Sequence, residues 1–149
     1  MKLNEMLERA EADHDSGLNC AQSVLKQFCQ SKGLPVAQAL RLSSGLGSGM
    51  KVGNVCGALT GGIMALGLHL GSADPGLKAE MEAPVRELIK RFVAKMEHME
   101  CSKIIGYNIA DPEQRDIARA KGIFARQCPL AITTAVSIVY DILYPTQKP

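Results

Sequence analysis

Tryptophan is absent from this chain of 149 residues, and aromatic residues make up only 4% of it. Because 46% of the residues are hydrophobic, the core must be filled mainly by aliphatic side chains. The longest apolar run, residues 63–70, is too short to cross a bilayer and is interrupted by Gly67 and His69. The amino-terminal segment is charged and lacks the apolar core of a signal peptide. We therefore expect a cytoplasmic protein with no membrane span.

A strong excess of one charge is also missing. The formal net charge is only +2, and basic residues are interleaved with acidic ones, so we expect no nucleic-acid partner. No paired-carboxylate motif stands out, and His14, His69 and His98 lie in unrelated sequence contexts, which disfavours conventional acid–base catalysis. Of the three histidines, His98 is the one to mutate, because it precedes Cys101 by three residues and could share its helix face.

Helical periodicity is the main pattern that is present. Leu3, Met6, Leu7 and Ala10 recur at i, i+3, i+4 and i+7, which predicts a first helix within residues 1–16. Stripes, caps and stop signals predict further helices over residues 20–31, 35–44, 54–70, 81–96, 102–105, 112–121 and 129–144. Residues 145–149 should form a loose tail. With no alternating strand pattern, the sequence predicts one all-α domain over residues 1–149, built as a helical bundle.

Glycine recurs every fourth residue in the middle of the chain, at Gly45, Gly49, Gly53, Gly57 and Gly61. Glycine permits a left-handed backbone in loops and a close approach of two backbones in helices. We therefore expect a Gly-rich loop that leads, near Asn54, into a central buried helix. Cys56 lies within this row, and Gly57 and Gly61 leave little bulk beside its thiol. The pattern indicates chemistry at Cys56, with Gly57 and Gly61 in the wall of any cofactor site.

Five cysteines are spread over the chain without a CxxC pair, which weakens a zinc-ribbon or thioredoxin-type interpretation. Four of them stand at the start of a predicted helix: Cys20, Cys56, Cys101 and Cys128. The free N–H groups and the dipole of a helix amino end stabilise a thiolate, so a lowered thiol pKa is expected at these positions. Cys29 lies about 180° from Cys20 around their common helix, and we interpret it as a packing residue.

The four cysteines and their surroundings resemble the C_GCAxxG_C_C family, whose members have about this length and a proposed redox activity. The family motif CGAxxG is matched by residues 56–61, CGALTG. The other family cysteines are matched by Cys20 in NCAQSVL, Cys101 in CSKIIGYNI and Cys128 in CPLAI. The resemblance spans residues 19–143, almost the whole chain.

One position departs from the family pattern, which often has glycine before the motif cysteine where this chain has Val55. The resemblance implies a redox role through four thiols. A related domain of a multihaem-type cytochrome is associated with an iron–sulfur cluster, so the resemblance also implies a cluster or another metal ion as a cofactor. Because the chain has no CxxCH, it attaches no c-type haem itself.

Three functions are compatible with these residues. The first is thiol–disulfide exchange or electron transfer by a thiol-dependent oxidoreductase, in which Cys56 pairs with another cysteine and an unknown redox partner supplies electrons. The second is a metal or iron–sulfur site with the four cysteines of the family set as ligands. The third is a non-catalytic helical module whose cysteines only pack. The Gly row and the aliphatic last helix could also supply the faces of a homodimer.

Overall fold

Eight α-helices form the frame of residues 2–147, the part of the chain that this computed structural model describes. They are α1 (Leu3–Asp15), α2 (Cys20–Cys29), α3 (Val36–Leu42), α4 (Gly57–Leu70), α5 (Glu82–Met96), α6 (Cys101–Ile105), α7 (Pro112–Ala120) and α8 (Ile123–Leu143). Within residues 2–147, pairing of the β type is limited to one antiparallel bridge between Val55 and Glu100. The predicted all-α fold is confirmed.

The structure at the two chain ends can be compared with the predicted bounds of the first helix and of the carboxyl-terminal tail. The first helix was predicted within residues 1–16 and extends over Leu3–Asp15, with residue 1 outside the described residues. Of the predicted loose tail, Pro145–Gln147 forms a 3₁₀ turn, and residues 148–149 lie outside the described part of the chain.

Helix α8 is the central packing partner of the bundle. It contacts α1, α2, α4 and α5, and its residues Ile132, Val136 and Val139 are fully buried. By length and composition alone, α8 could also cross a membrane. Its packing inside the bundle accounts for its apolar character, so this one helix is weak grounds for a membrane span.

Helices α2 and α4 approach each other most closely at Gly61. A Cβ atom at Gly61 would lie 2.5 Å from the carbonyl oxygen of Ala21, so a side chain there would force the two helices apart. The fully buried residues of α4 include Ala58, Leu59, Ala65 and Leu66. The predicted central buried helix is therefore confirmed.

The Gly-rich segment before α4 is a loop whose last turn, Gly49–Gly53, contains non-helical backbone angles. The non-glycine residues Met50 and Lys51 adopt left-handed backbone here, with φ of 59° and 68°. A side chain at Gly53 would collide with the hydroxyl group of Ser102, which ties the turn to the start of α6. The glycines thus allow this loop to pack beside the segment that carries Cys101.

The last helix starts earlier than the sequence predicted. Helix α8 begins at Ile123 and not at Pro129, because Gly122 supplies a left-handed residue with φ 71° before it. Its first turn packs on a second hydrophobic cluster, whose buried members are Ile105, Ile109 and Ala118. This packing compensates for the free-energy cost of the backbone hydrogen bond that is missing because Pro129 has no N–H group. The prediction that Cys128 stands at the start of a helix is wrong.

Candidate functional site

Four cysteines from distant parts of the chain line one small cavity of about 20 Å³. Cys20 is the first residue of α2, Cys56 precedes α4, Cys101 is the first residue of α6, and Cys128 lies inside α8. All four are free thiols. The remaining wall of the cavity is formed by Gly57, Ile104, Ile105, Gln127 and Ala131.

Two of these cysteines are held side by side by the β-bridge. The backbone N–H of Cys56 donates to the carbonyl of Met99, and the N–H of Cys101 donates to the carbonyl of Asn54, each at 2.7 Å. These bonds join the segment before α4 to the segment before α6. Cys56 and Cys101 are far apart in the sequence, and these backbone hydrogen bonds bring the two segments that carry them together.

Cys20 is positioned by the Asn19 cap at the start of α2. Asn19 accepts a hydrogen bond from the Gln22 N–H at 2.8 Å, and the Gln22 side chain accepts one from the Asn19 N–H at 2.9 Å. The Asn19 amide also donates to the carbonyl of Ser43 at 3.2 Å. These contacts fix the first turn of α2, and with it the direction of the Cys20 side chain.

His14 is a site residue that sequence reasoning missed. Its ring nitrogen and the sulfurs of Cys20 and Cys128 all lie within 4.8 Å of one another, and all three residues are half-buried. His14 belongs to the last turn of α1. The available signal was the short connection to α2, residues 16–19, which forces the end of α1 to lie beside the start of α2.

The helix-start argument predicted lowered thiol pKa values, and for three cysteines this prediction is wrong. A hydrogen bond to Cys128 and burial raise the pKa of Cys20 well above its usual range. Burial raises the pKa of Cys56 to about 11 and that of Cys101 to about 12. At Cys56 the cost of burying a thiolate outweighs the backbone N–H groups of Ala58 and Leu59, which lower the pKa. All three groups therefore remain thiols at neutral pH.

Cys128 behaves in the opposite way. Hydrogen bonds from Cys20 and His14 lower its pKa to about 6, although burial opposes the shift. The pKa of His14 is raised, mainly by its hydrogen bond to Cys128. A thiolate paired with an imidazolium is the state that these contacts favour at neutral pH. The most acidic thiol is therefore the one cysteine of the cavity that does not stand at a helix start.

Comparison with protein families gives a match over most of the chain. A family model described as "Putative redox-active protein (C_GCAxxG_C_C)" matches residues 18–142. The chain belongs to this family. Comparison with curated proteins and with solved structures gave no match. The C_GCAxxG_C_C match includes all four cysteines of the cavity, whereas His14 precedes it.

The two glycines that were predicted in the wall of a cofactor site in this C_GCAxxG_C_C chain lie in different places. Gly57 lines the cavity, and a Cβ on it would lie 3.2 Å from the Cβ of Cys20. Gly61 does not belong to the cavity wall and lies instead where α4 crosses α2. Cys29 is fully buried away from the cavity, and its thiol lies 3.3 Å from the carbonyl oxygen of Lys26, as expected of a packing residue.

The two histidines other than His14 stand apart from the thiols. His69 makes a hydrogen bond of 2.8 Å with the carbonyl of Phe28, near the carboxyl end of α2, which is a structural contact. His98, singled out in the sequence, is exposed.

The size of the cavity bears on the cofactors that the family resemblance implies. A space of about 20 Å³ holds roughly one water molecule. A multi-iron cluster among the four sulfurs would require these side chains to move apart. Among the described residues, the group with ligand atoms closest together is His14, Cys20 and Cys128, which differs from the predicted four-cysteine ligand set.

Proposed function

We propose that this protein carries out thiol–disulfide exchange through Cys128 and Cys20. The observation that carries the proposal is the proximity of these two free sulfurs, which lie within 4.8 Å of each other beside His14. A disulfide needs a sulfur–sulfur bond of about 2.05 Å, so side-chain movement of a few ångströms suffices to form it. The lowered pKa of Cys128 supports its role as the attacking group.

The exchange has two steps that balance. The Cys128 thiolate attacks one sulfur of a substrate disulfide, that bond breaks, and the leaving thiolate takes a proton from the His14 imidazolium. The sulfur of Cys20 then attacks the Cys128 side of the mixed disulfide and releases the second substrate thiol, which receives the Cys20 proton. The substrate disulfide becomes two thiols, and the protein keeps a Cys20–Cys128 disulfide.

Return to the reduced protein requires a partner dithiol, which is the redox partner expected from the sequence. In the reverse direction the same chemistry oxidises a substrate dithiol, so the net event is a two-electron transfer. We also propose that the protein works in a reducing compartment such as the cytoplasm, where free thiols persist.

Cys56 and Cys101 take a different part in this proposal. Cys56 is only 6% exposed, and the raised pKa of each of the two groups keeps it protonated. This argues against the sequence-based preference for Cys56 as a reacting partner. We assign these two thiols to the inner wall of the cavity, where their neutral form adds no charge that would compete with the Cys128 thiolate.

Oxidised glutathione tests the proposal on the reduced full-length chain. After acid quenching and alkylation, peptide mapping should find a Cys20–Cys128 disulfide in the wild type. Cys20→Ser should instead accumulate a glutathione adduct on Cys128, and Cys128→Ser should form neither product. Cys29→Ser is the matched control and should behave as the wild type.

Three outcomes would overturn this function. Equal reaction of all accessible cysteines with oxidised glutathione would mean that no cysteine is specialised for disulfide exchange. Unchanged oxidation in the Cys128→Ser variant would place the reacting pair elsewhere. A chain in which no thiol reacts with the disulfide would be the packing module that the sequence also allowed.

A further inference from the structure

The cluster of His14, Cys20 and Cys128 has the composition of a metal site as well as that of a redox site. One nitrogen and two sulfur atoms lie within 4.8 Å of one another. In a tetrahedral zinc site the metal–sulfur distance is about 2.3 Å and the metal–nitrogen distance about 2.0 Å, which separates the ligand atoms by roughly 3.5 Å. Small rotations of the three side chains would therefore close the cluster around one ion.

The three side chains project from rigid elements. His14 is in α1, Cys20 in α2 and Cys128 in α8, and each pair of these helices is in contact. A site held by three packed helices loses little freedom when an ion binds. The residues are half-buried, so the ion would be partly shielded from water yet reachable from solvent.

We propose that His14, Cys20 and Cys128 bind one zinc ion or a divalent cation of similar softness. Two thiolates and a neutral imidazole carry a charge of −2, which cancels the charge of the ion and suits a half-buried position. Thiolate and imidazole ligands select this class of cation over magnesium or calcium, which prefer oxygen ligands. Three protein ligands leave the fourth tetrahedral position to water.

This ligand set differs from the four-cysteine set that the family pattern implied. It includes His14, which lies outside the matched residues 18–142, and it leaves out Cys56 and Cys101. The proposal does not depend on the disulfide exchange, since an ion can bind the reduced thiols whether or not they react with a disulfide.

Cobalt(II) is the spectroscopic probe for the test. The reduced, metal-free full-length chain is titrated with cobalt(II), and thiolate-to-cobalt absorption is followed; zinc is then added in competition. We expect one ion per chain, tetrahedral cobalt absorption and displacement by zinc. His14→Gln should weaken the affinity by about tenfold or more, and Cys20→Ser and Cys128→Ser should abolish the thiolate absorption at the same concentration.

His98→Gln is the matched control, because His98 is exposed and should leave the affinity unchanged. Circular dichroism of each variant establishes that it is folded. Equal affinity of His14→Gln and His98→Gln would overturn the proposal. So would loss of binding in Cys56→Ser and Cys101→Ser, since the ion would then be held by four cysteines, or a wild type that binds no cobalt at micromolar concentration.

Discussion

The His14 imidazole nitrogen and the Cys128 sulfur lie within 4.8 Å of each other, and their interaction raises the pKa of His14 and lowers the pKa of Cys128 to about 6. This proximity joins the last turn of α1 to the interior of α8, two helices that are far apart in sequence. Cys128 is thus given a reactive thiolate by packing between helices and not by its own helix end.

The first prediction concerns the pH dependence of alkylation at Cys128. A thiol with a pKa of about 6 instead of the usual 9.0 is deprotonated above pH 6 and protonated below it. Its alkylation rate should therefore rise with pH, reach half its maximum near pH 6 and stay level above pH 8. Iodoacetamide labelling over pH 4–10, read by peptide mapping, measures this profile.

His14→Gln supplies the comparison for that profile. Removing the imidazolium should move the midpoint upward and reduce the labelling rate at pH 6 by about fivefold. His98→Gln should reproduce the wild-type curve. A wild-type midpoint near pH 9 would contradict the assigned thiolate.

The second prediction separates two roles of Cys20. The Cys20 thiol donates to Cys128, so Cys20→Ala should raise the midpoint of Cys128 alkylation. Cys20→Ser keeps a hydroxyl donor and should stay closer to the wild-type midpoint. Neither variant can form the disulfide with Cys128. Identical midpoints in the two variants would mean that the hydrogen bond from residue 20 does not tune Cys128.

The third prediction concerns the crossing of α2 and α4. Gly61→Ala places a Cβ 2.5 Å from the Ala21 carbonyl oxygen and should lower the free energy of unfolding by about 2 kcal/mol. Gly67→Ala is the matched control in the same helix, because no atom lies within 4 Å of its added Cβ. That change should stabilise the protein by about 0.5 kcal/mol through helix propensity. Urea unfolding under reducing conditions compares the two, and a neutral Gly61→Ala would refute the close approach.

The fourth prediction tests where α8 begins. Because Pro129 lies inside the helix, Pro129→Ala restores an N–H donor and should raise the free energy of unfolding by about 1 kcal/mol. If the helix started at residue 129, proline would be favoured there and the substitution would be neutral or destabilising. Leu130→Ala is a useful control, since Leu130 is 42% exposed and its truncation changes no backbone bond.

The sequence was most informative where structure depends on neighbours within one helical turn. The Asn19 cap and the Asp111 cap, which accepts from the Glu113 N–H at 3.0 Å, follow directly from local residue types. Pro129 misled the same reasoning because its local preference for a helix start is overruled by hydrophobic packing of the preceding turn.

The sequence alone determined the helical character of the chain, the buried role of α4 and the four cysteines that set it within its family, since these depend on periodicity and on short motifs. Only the tertiary structure decided that those cysteines surround one cavity, that His14 joins Cys20 and Cys128, and that Cys128 is the acidic thiol. The pKa of a thiol depends on its burial and on hydrogen-bond donors from other helices. Both are set only when the helices have packed into the bundle.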